Sequence, residues 1–322
     1  MLEPWNHRME KHMPKTSPLS RRELLAGVAL TLAPLAEGRD RQRPASSADC
    51  GPLPLAAPQP VQLEDAALMS AFMKLRGATD SRLTIGWVDA VNYGFIDGDT
   101  FPLYRLWAAT WQVYRKTGDL TYSSTTLEIA HFVDMKTGAL LEHLTMPLNA
   151  AVVQVPHYRA GPSQGTVALH REDKREFTMN REAKEGAQFF VSGTAISSQH
   201  VSQAERDGRK FHVREDVATR VVNADPATRG FFYREWSRWS GNWDEVFDPS
   251  VACARCELGY TSAAAWRPWM KMGNSPGNTL QNGRGGKVEH SSDLPAELLH
   301  LTKQIHPDLL DDPWKALKLT PG

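Results

Sequence analysis

Phe101-Pro102-Leu103-Tyr104-Arg105-Leu106-Trp107-Ala108-Ala109-Thr110-Trp111-Gln112-Val113-Tyr114 runs into the turn signal Lys116-Thr117-Gly118-Asp119, and a second β-prone run, Leu120 to Val133, ends at Asp134-Met135-Lys136-Thr137-Gly138. Long aromatic and β-branched runs bounded by Gly, Asp and Thr read as strands joined by tight turns. Gly138 can supply the left-handed residue that closes the second turn. The same reading extends outward. Downstream, Ala139 to Thr145 returns and Ala150 to His157 follows; upstream, Leu83, Ile85 and Trp87 alternate, and Tyr93 and Phe95 lead to the turn Asp97-Gly98-Asp99-Thr100. Consecutive hairpins build an antiparallel meander and not a doubly wound sheet. With Thr117 and Gly118 at the centre of the first turn, Tyr104 lies opposite His131 and Leu106 opposite Ile129. Symmetric closure of the second turn places His131 opposite Leu141 and diagonal to His143. One face then carries Tyr104, Leu106, Leu127, Ile129, His131, Leu141 and His143, and the other Arg105, Trp107, Trp111, Glu128, Phe132 and Glu142. Apolar groups on both faces predict a sheet covered on both sides, a meander closing into a barrel-like sheet. A slip of one residue would exchange the faces.

Further strands are expected at Phe189–Ser192, Lys210–Val222, Phe231–Trp239 and Cys253–Ala263, with the charged run Arg171–Glu176 in a solvated insertion or hairpin. Two peripheral helices frame them. Glu64 to Leu75 carries an apolar helical stripe, and Ser292-Asp293 caps a helix with Pro295 in its first turn that ends near Ile305. Residues 64–322 are therefore expected to form one β-rich domain.

Basic and acidic residues balance at 37 each, so nothing in the charge points to nucleic acid. Ser20-Arg21-Arg22-Glu23-Leu24-Leu25 resembles a twin-arginine export motif and precedes a short apolar run from Leu24 to Ala36. The run is about thirteen residues, short of the roughly twenty that span a bilayer as a helix. Residues 1–48 are thus expected to be an export leader handled by the twin-arginine machinery, and 49–63, rich in Pro and Ala, a linker. The mature protein is expected in the periplasm or secreted, with no transmembrane anchor. Without the leader the balance is 29 basic to 32 acidic residues. Cys253-Ala254-Arg255-Cys256 has the spacing of a metal or redox pair, but in an extended segment its thiols would point to opposite faces.

Ala265-Trp266-Arg267-Pro268-Trp269-Met270-Lys271-Met272-Gly273 breaks the strand pattern. Pro268 forbids a continuous helix, so the two Trp and two Met form an irregular corner that either walls a cavity or plugs one end of the core. Together with Lys74-Leu75-Arg76-Gly77, the Asp134…Thr137-Gly138 hairpin, Met146-Pro147, Pro276-Gly277, Asp293-Leu294-Pro295 and His306-Pro307, this block resembles the domain of unknown function family 1838 over roughly residues 65–310. The resemblance implies an exported β-rich single domain and assigns no catalytic residues.

Three constellations carry the chemistry. His131 and His143, with Tyr104 beside them, could act as acid and base or, as a minority reading, hold a metal; a buried His is also a common structural residue. Glu235 between Tyr233 and Trp239 could be an acid of raised pKa or half of a cross-strand ion pair. Arg267 between Trp266 and Trp269 could grip a carboxylate or neutralise a buried acid such as Glu257. Trp107, Tyr233, Trp236, Trp266, Arg267 and Trp269 are the expected substrate-binding residues, and His131, His143, Tyr104 and Glu235 the expected catalytic ones. No G-x-S-x-G elbow, P-loop or dinucleotide fingerprint occurs. The expectation is a cofactor-independent acid–base enzyme, a lyase, isomerase or hydrolase, acting on an aromatic or apolar small molecule in a β-barrel cavity. The alternative is a non-catalytic periplasmic binding protein for a hydrophobic small molecule.

Overall fold

The computed structural model describes residues 57–171, 176–185, 195–222 and 231–320. The export motif and the strand expected at Phe189–Ser192 lie outside the described residues. Contacts gather residues 55–322 into one compact unit. Its strands are β1 (Gln59–Pro60), β2 (Thr84–Ile96), β3 (Asp99–Gly118), β4 (Thr121–Val133), β5 (His143–Thr145), β6 (Val152–Gln154), β7 (Tyr158–Arg171), β8 (Glu176–Glu185), β9 (Ala195–Asp207), β10 (Lys210–Val222), β11 (Phe231–Asn242), β12 (Glu257–Ala264) and β13 (Asn278–Val288). The helices are α1 (Asp65–Arg76), α2 (Trp243–Phe247), α3 (Ala296–Ile305), α4 (Asp308–Asp311) and α5 (Pro313–Ala316).

Eleven strands form one antiparallel sheet in the order β1-β9-β10-β11-β12-β13-β2-β3-β4-β7-β8. The sheet curls until β8 also meets β9, but only at Glu176↔Gln203 and Phe177↔Ser202. It is thus a curled antiparallel meander and not a barrel closed along its length, which corrects the barrel expected from the hairpins. β13 lies unusually close to its neighbour β2. A Cβ on Gly285 would sit 2.1 Å from the Trp87 carbonyl oxygen, so only glycine permits that approach. The stretch rich in Gly and Asn is therefore a central strand.

Two further expectations change. The presumed linker is tied down at its end, where β1 pairs with β9 and the Val61 amide donates to the Ala204 carbonyl at 2.9 Å. The return after residue 138 meets β4 only at a bridge between Val133 and Leu140, and β5 and β6 then make a separate two-stranded hairpin. The C-x-x-C pair precedes β12 in a loop and not in an extended strand, and both cysteines are free. Burial still pushes the Cys256 thiol up to about 11, which keeps it protonated.

The β3–β4 register decides which face each candidate occupies. Its turn centres on Asp119-Leu120, with a bulge between Lys116 and Gly118, so Trp107 pairs with His131 and Leu106 with Phe132. The expected register is offset by an odd number of residues, and every side chain of β4 therefore lies on the opposite face relative to β3. Trp107, Trp111, Leu127, Ile129 and Val133 pack beneath Leu298, Leu301 and Leu309 of α3 and α4 on the outer face.

On the inner face, α1 plugs one end. Its buried residues Leu68, Phe72 and Leu75 cluster with Tyr114 of β3, Val167 of β7, Ala204 of β9, Phe211 of β10 and Trp239 of β11, so this cluster reaches across the curl. Each fully buried side chain of that kind contributes about 1.5–3 kcal/mol. Asp65 in the first turn and Lys74 and Arg76 in the last complement the helix dipole. The other end is filled by Tyr104, Leu106 and Phe132, the β5–β6 hairpin, and the corner residues Trp266, Met270 and Met272.

Candidate functional site

Between these two apolar ends the inner face is polar. Register sets Glu235 of β11 opposite Ser262 of β12, Ser262 opposite Gln281 of β13, Gln281 opposite Asn92 of β2, and Asn92 opposite Tyr104 of β3. Alternation along each strand puts all five side chains on one face, as a row across five strands. A hydrogen-bonded chain runs through the first three of them, Glu235, Ser262 and Gln281, by way of Tyr233 and Tyr260. The Tyr233 hydroxyl donates to Glu235 Oε2 at 2.6 Å and lies 2.8 Å from the Tyr260 hydroxyl. The Tyr260 hydroxyl is also 3.1 Å from Ser262 Oγ and 3.1 Å from Gln281 Oε1. Asn92 is fully buried, yet neither its amide nitrogen nor its amide oxygen has a partner. A buried, unsatisfied amide is costly, and its groups are free for a bound molecule or water.

Glu128 of β4 and Tyr158 at the start of β7 complete the site, with Arg267 from the corner. Glu128 is exposed by surface area, yet desolvation by the protein packed around it pushes its carboxyl up to about 7. Arg267 opposes that rise and the Glu235 carboxylate adds to it. Burial and the Glu128 charge raise the Tyr158 hydroxyl, and burial raises Tyr104, Tyr233 and Tyr260, so all four phenols keep their protons at neutral pH. Arg267 acts on Glu128 and on Tyr104, Tyr158 and Tyr260. The acid it faces is thus Glu128, while Glu257 is exposed and paired with Lys210 at 2.6 Å.

Of the residues singled out in the sequence, the structure brings together Tyr104, Tyr233, Glu235 and Arg267. Trp269 adjoins them, with its ring 6.0 Å from that of Tyr104 and its indole nitrogen buried without a partner. Trp266 instead builds the corner: its indole N–H donates to the Pro276 carbonyl at 3.0 Å. His131 and His143 do not meet. His131 is fully buried on the outer face, stacked on His306 at 5.7 Å, and burial lowers its pKa to about 4. His143 is exposed on the β5–β6 hairpin. Trp107 is also on the outer face, under the Arg105 guanidinium at 4.5 Å, and Trp236 is exposed on the outer face of β11. The register slip had set Glu128 apart from Tyr104, and Tyr158 stood outside the strands considered. Glu128 shares the parity of Ala130 and Phe132, a carboxylate on a face of buried apolar residues, and that was its one signal in the sequence.

Among the described residues no group of three or more His, Cys, Asp and Glu gathers as a metal site, and no helix is long and apolar enough to cross a membrane.

The comparisons bear on less than a third of the chain, the part that supplies β11 to β13, the corner and the last helices. Residues 227–318 match the family described as Protein of unknown function (DUF1838). That match contains Glu235, Tyr233, Tyr260, Arg267 and Gln281, and the Trp-Arg-Pro-Trp block on which the resemblance was read. A search of curated proteins found no match. The family's description assigns no activity, so chemistry must be argued from the inner face itself.

Proposed function

We propose that the protein is an exported, cofactor-independent acid–base enzyme, a lyase, isomerase or hydrolase, acting on an aromatic or apolar small molecule held inside the curled sheet. The observation that carries this reading is Glu128. A carboxyl with a pKa of about 7 populates both protonation states near neutrality, the condition for efficient general acid–base catalysis. Tyr158 and Tyr104, which keep their protons, serve as hydrogen-bond donors to a developing oxyanion, and Arg267 supplies the fixed positive charge beside them. Glu235, held by the Tyr233 hydroxyl at 2.6 Å, is the second carboxylate. The apolar ends around Phe132, Trp269 and α1 suit a ring or alkyl body. His131 and His143 have no part in this scheme.

A binding protein without catalysis is the second reading, favoured by the unsatisfied Asn92 amide, which could orient a resident ligand. Native and denaturing mass spectrometry of the purified protein separates the readings. The enzyme reading predicts a molecule that wild type converts and Glu128→Gln retains unconverted. The binding reading predicts retention by both with no conversion. Retention unchanged by Glu128→Gln, Arg267→Met and Asn92→Leu alike would remove the inner face from consideration. Export rests on Arg21 and Arg22; replacing both with Lys should trap the protein in the cytoplasm.

A further inference from the structure

The outer face of β10–β13 holds an open groove of about 730 Å³, separate from the inner face, lined among others by Arg214, Trp236, Arg238, Gly259, Thr261 and Asn282. Among the described arginines of this face, Arg214 pairs with Glu205 at 3.1 Å, Arg234 with Asp216 at 2.7 Å, and Arg284 more loosely with Asp89 at 3.9 Å. Arg238 has no carboxylate partner among the described residues. Its Nε and Nη2 are buried with no hydrogen-bond partner at all. Buried guanidinium donors left unpaired are costly, and a site that keeps them is poised for an anion. Two residues along the same face of the same strand stands Trp236, 43% exposed, one of the few large apolar side chains on this surface. Thr261 and Asn282 meet across the floor of the groove, with Asn282 Nδ2 donating to Thr261 Oγ1 at 3.3 Å.

We propose that this groove binds an acidic saccharide, with a pyranose ring laid on Trp236 and a uronate carboxylate on Arg238. The groove is open along the sheet, which suits a chain of sugar units better than an enclosed small molecule. The Arg234 guanidinium lies over the Trp236 ring at 5.3 Å, and the indole surface that stays exposed is offered to the axial C–H groups of a ring, while its N–H and the neighbouring Thr261 and Asn282 meet hydroxyls. The Arg238 charge, without a carboxylate partner among the described residues, sets the preference for an anion over a neutral sugar.

The test is titration calorimetry of the mature protein with trimers of galacturonate, glucuronate and mannuronate, each paired with its methyl ester, which keeps the shape and removes the charge. At least one acid trimer should bind, and its ester about tenfold more weakly or worse. Arg238→Gln should lower acid binding by about the same factor and bring acid and ester to equal affinity. Trp236→Ala should weaken both. Gly259→Leu, at a position where an added Cβ meets nothing within 4 Å, should block the groove while leaving the fold intact by circular dichroism. No binding of any acid trimer at about 5 mM, equal affinity for acid and ester, or undiminished binding by Arg238→Gln would each overturn the proposal.

Discussion

Glu128→Gln isolates the inner-face carboxyl, because it keeps size and hydrogen bonding while removing the titration. In the folded protein this group stands at about 7 against an ordinary value of 4.5. Between those pH values the folded state holds a proton that the unfolded chain has released, so wild-type stability falls as pH rises from 4.5 to about 7 and is flat above. At about 1.4 kcal/mol per pKa unit the full shift amounts to roughly 3 kcal/mol. The side chain keeps accessible surface, and solvent screening reduces the figure to ~1–2 kcal/mol. Urea denaturation of wild type and Glu128→Gln at pH 4.5 and pH 8 reads the effect. The two should have equal stability at the lower pH, and the variant should be more stable by ~1–2 kcal/mol at the higher. A variant equally stable at pH 8, or less stable there than at pH 4.5 relative to wild type, would refute a desolvated carboxyl.

His131 predicts the opposite slope. It is fully buried with a pKa lowered to about 4 from 6.5, so the unfolded chain takes up a proton that the folded one refuses, and stability falls by up to ~3 kcal/mol as pH drops from 6.5 to about 4. His131→Leu should flatten that limb in denaturant melts without moving the one from Glu128. Tyr260→Phe removes a hydroxyl shared by Tyr233, Ser262 and Gln281, and should cost about 1–3 kcal/mol in urea, more than Tyr233→Phe with its two partners. Gly285→Ala drives a methyl group to 2.1 Å from the Trp87 carbonyl oxygen and should cost more than about 3 kcal/mol, read as a large drop in Tm. Gly259→Ala, on the same sheet and meeting nothing, should leave Tm nearly unchanged.

The meander was legible because period-two patterning and turn residues are local: the run Lys210–Val222 reads directly as β10, and the stripe from Leu68 to Leu75 as α1. The site was legible only where it rested on one strand or one corner, as with Tyr233, Glu235 and Arg267. Glu128 and His131 depended on the β3–β4 register, which a bulge at Lys116–Gly118 shifted by an odd number, and bulges leave no mark in an alternating sequence. The long-range curl was hidden for a different reason. It rests on pairing between β8 and β9, far apart in the order of the sheet, and the glycines of β13 that permit close approach to β2 look like loop residues.

The central claim is an acid poised near neutrality on the inner face, and the most direct measurement is a carbon-13 NMR titration of the glutamate carboxyls in labelled protein, with Glu128 assigned by its loss in Glu128→Gln. The account predicts a midpoint near 7 for that resonance. A midpoint at the ordinary glutamate value of about 4.3 would contradict it and leave the inner face without its acid.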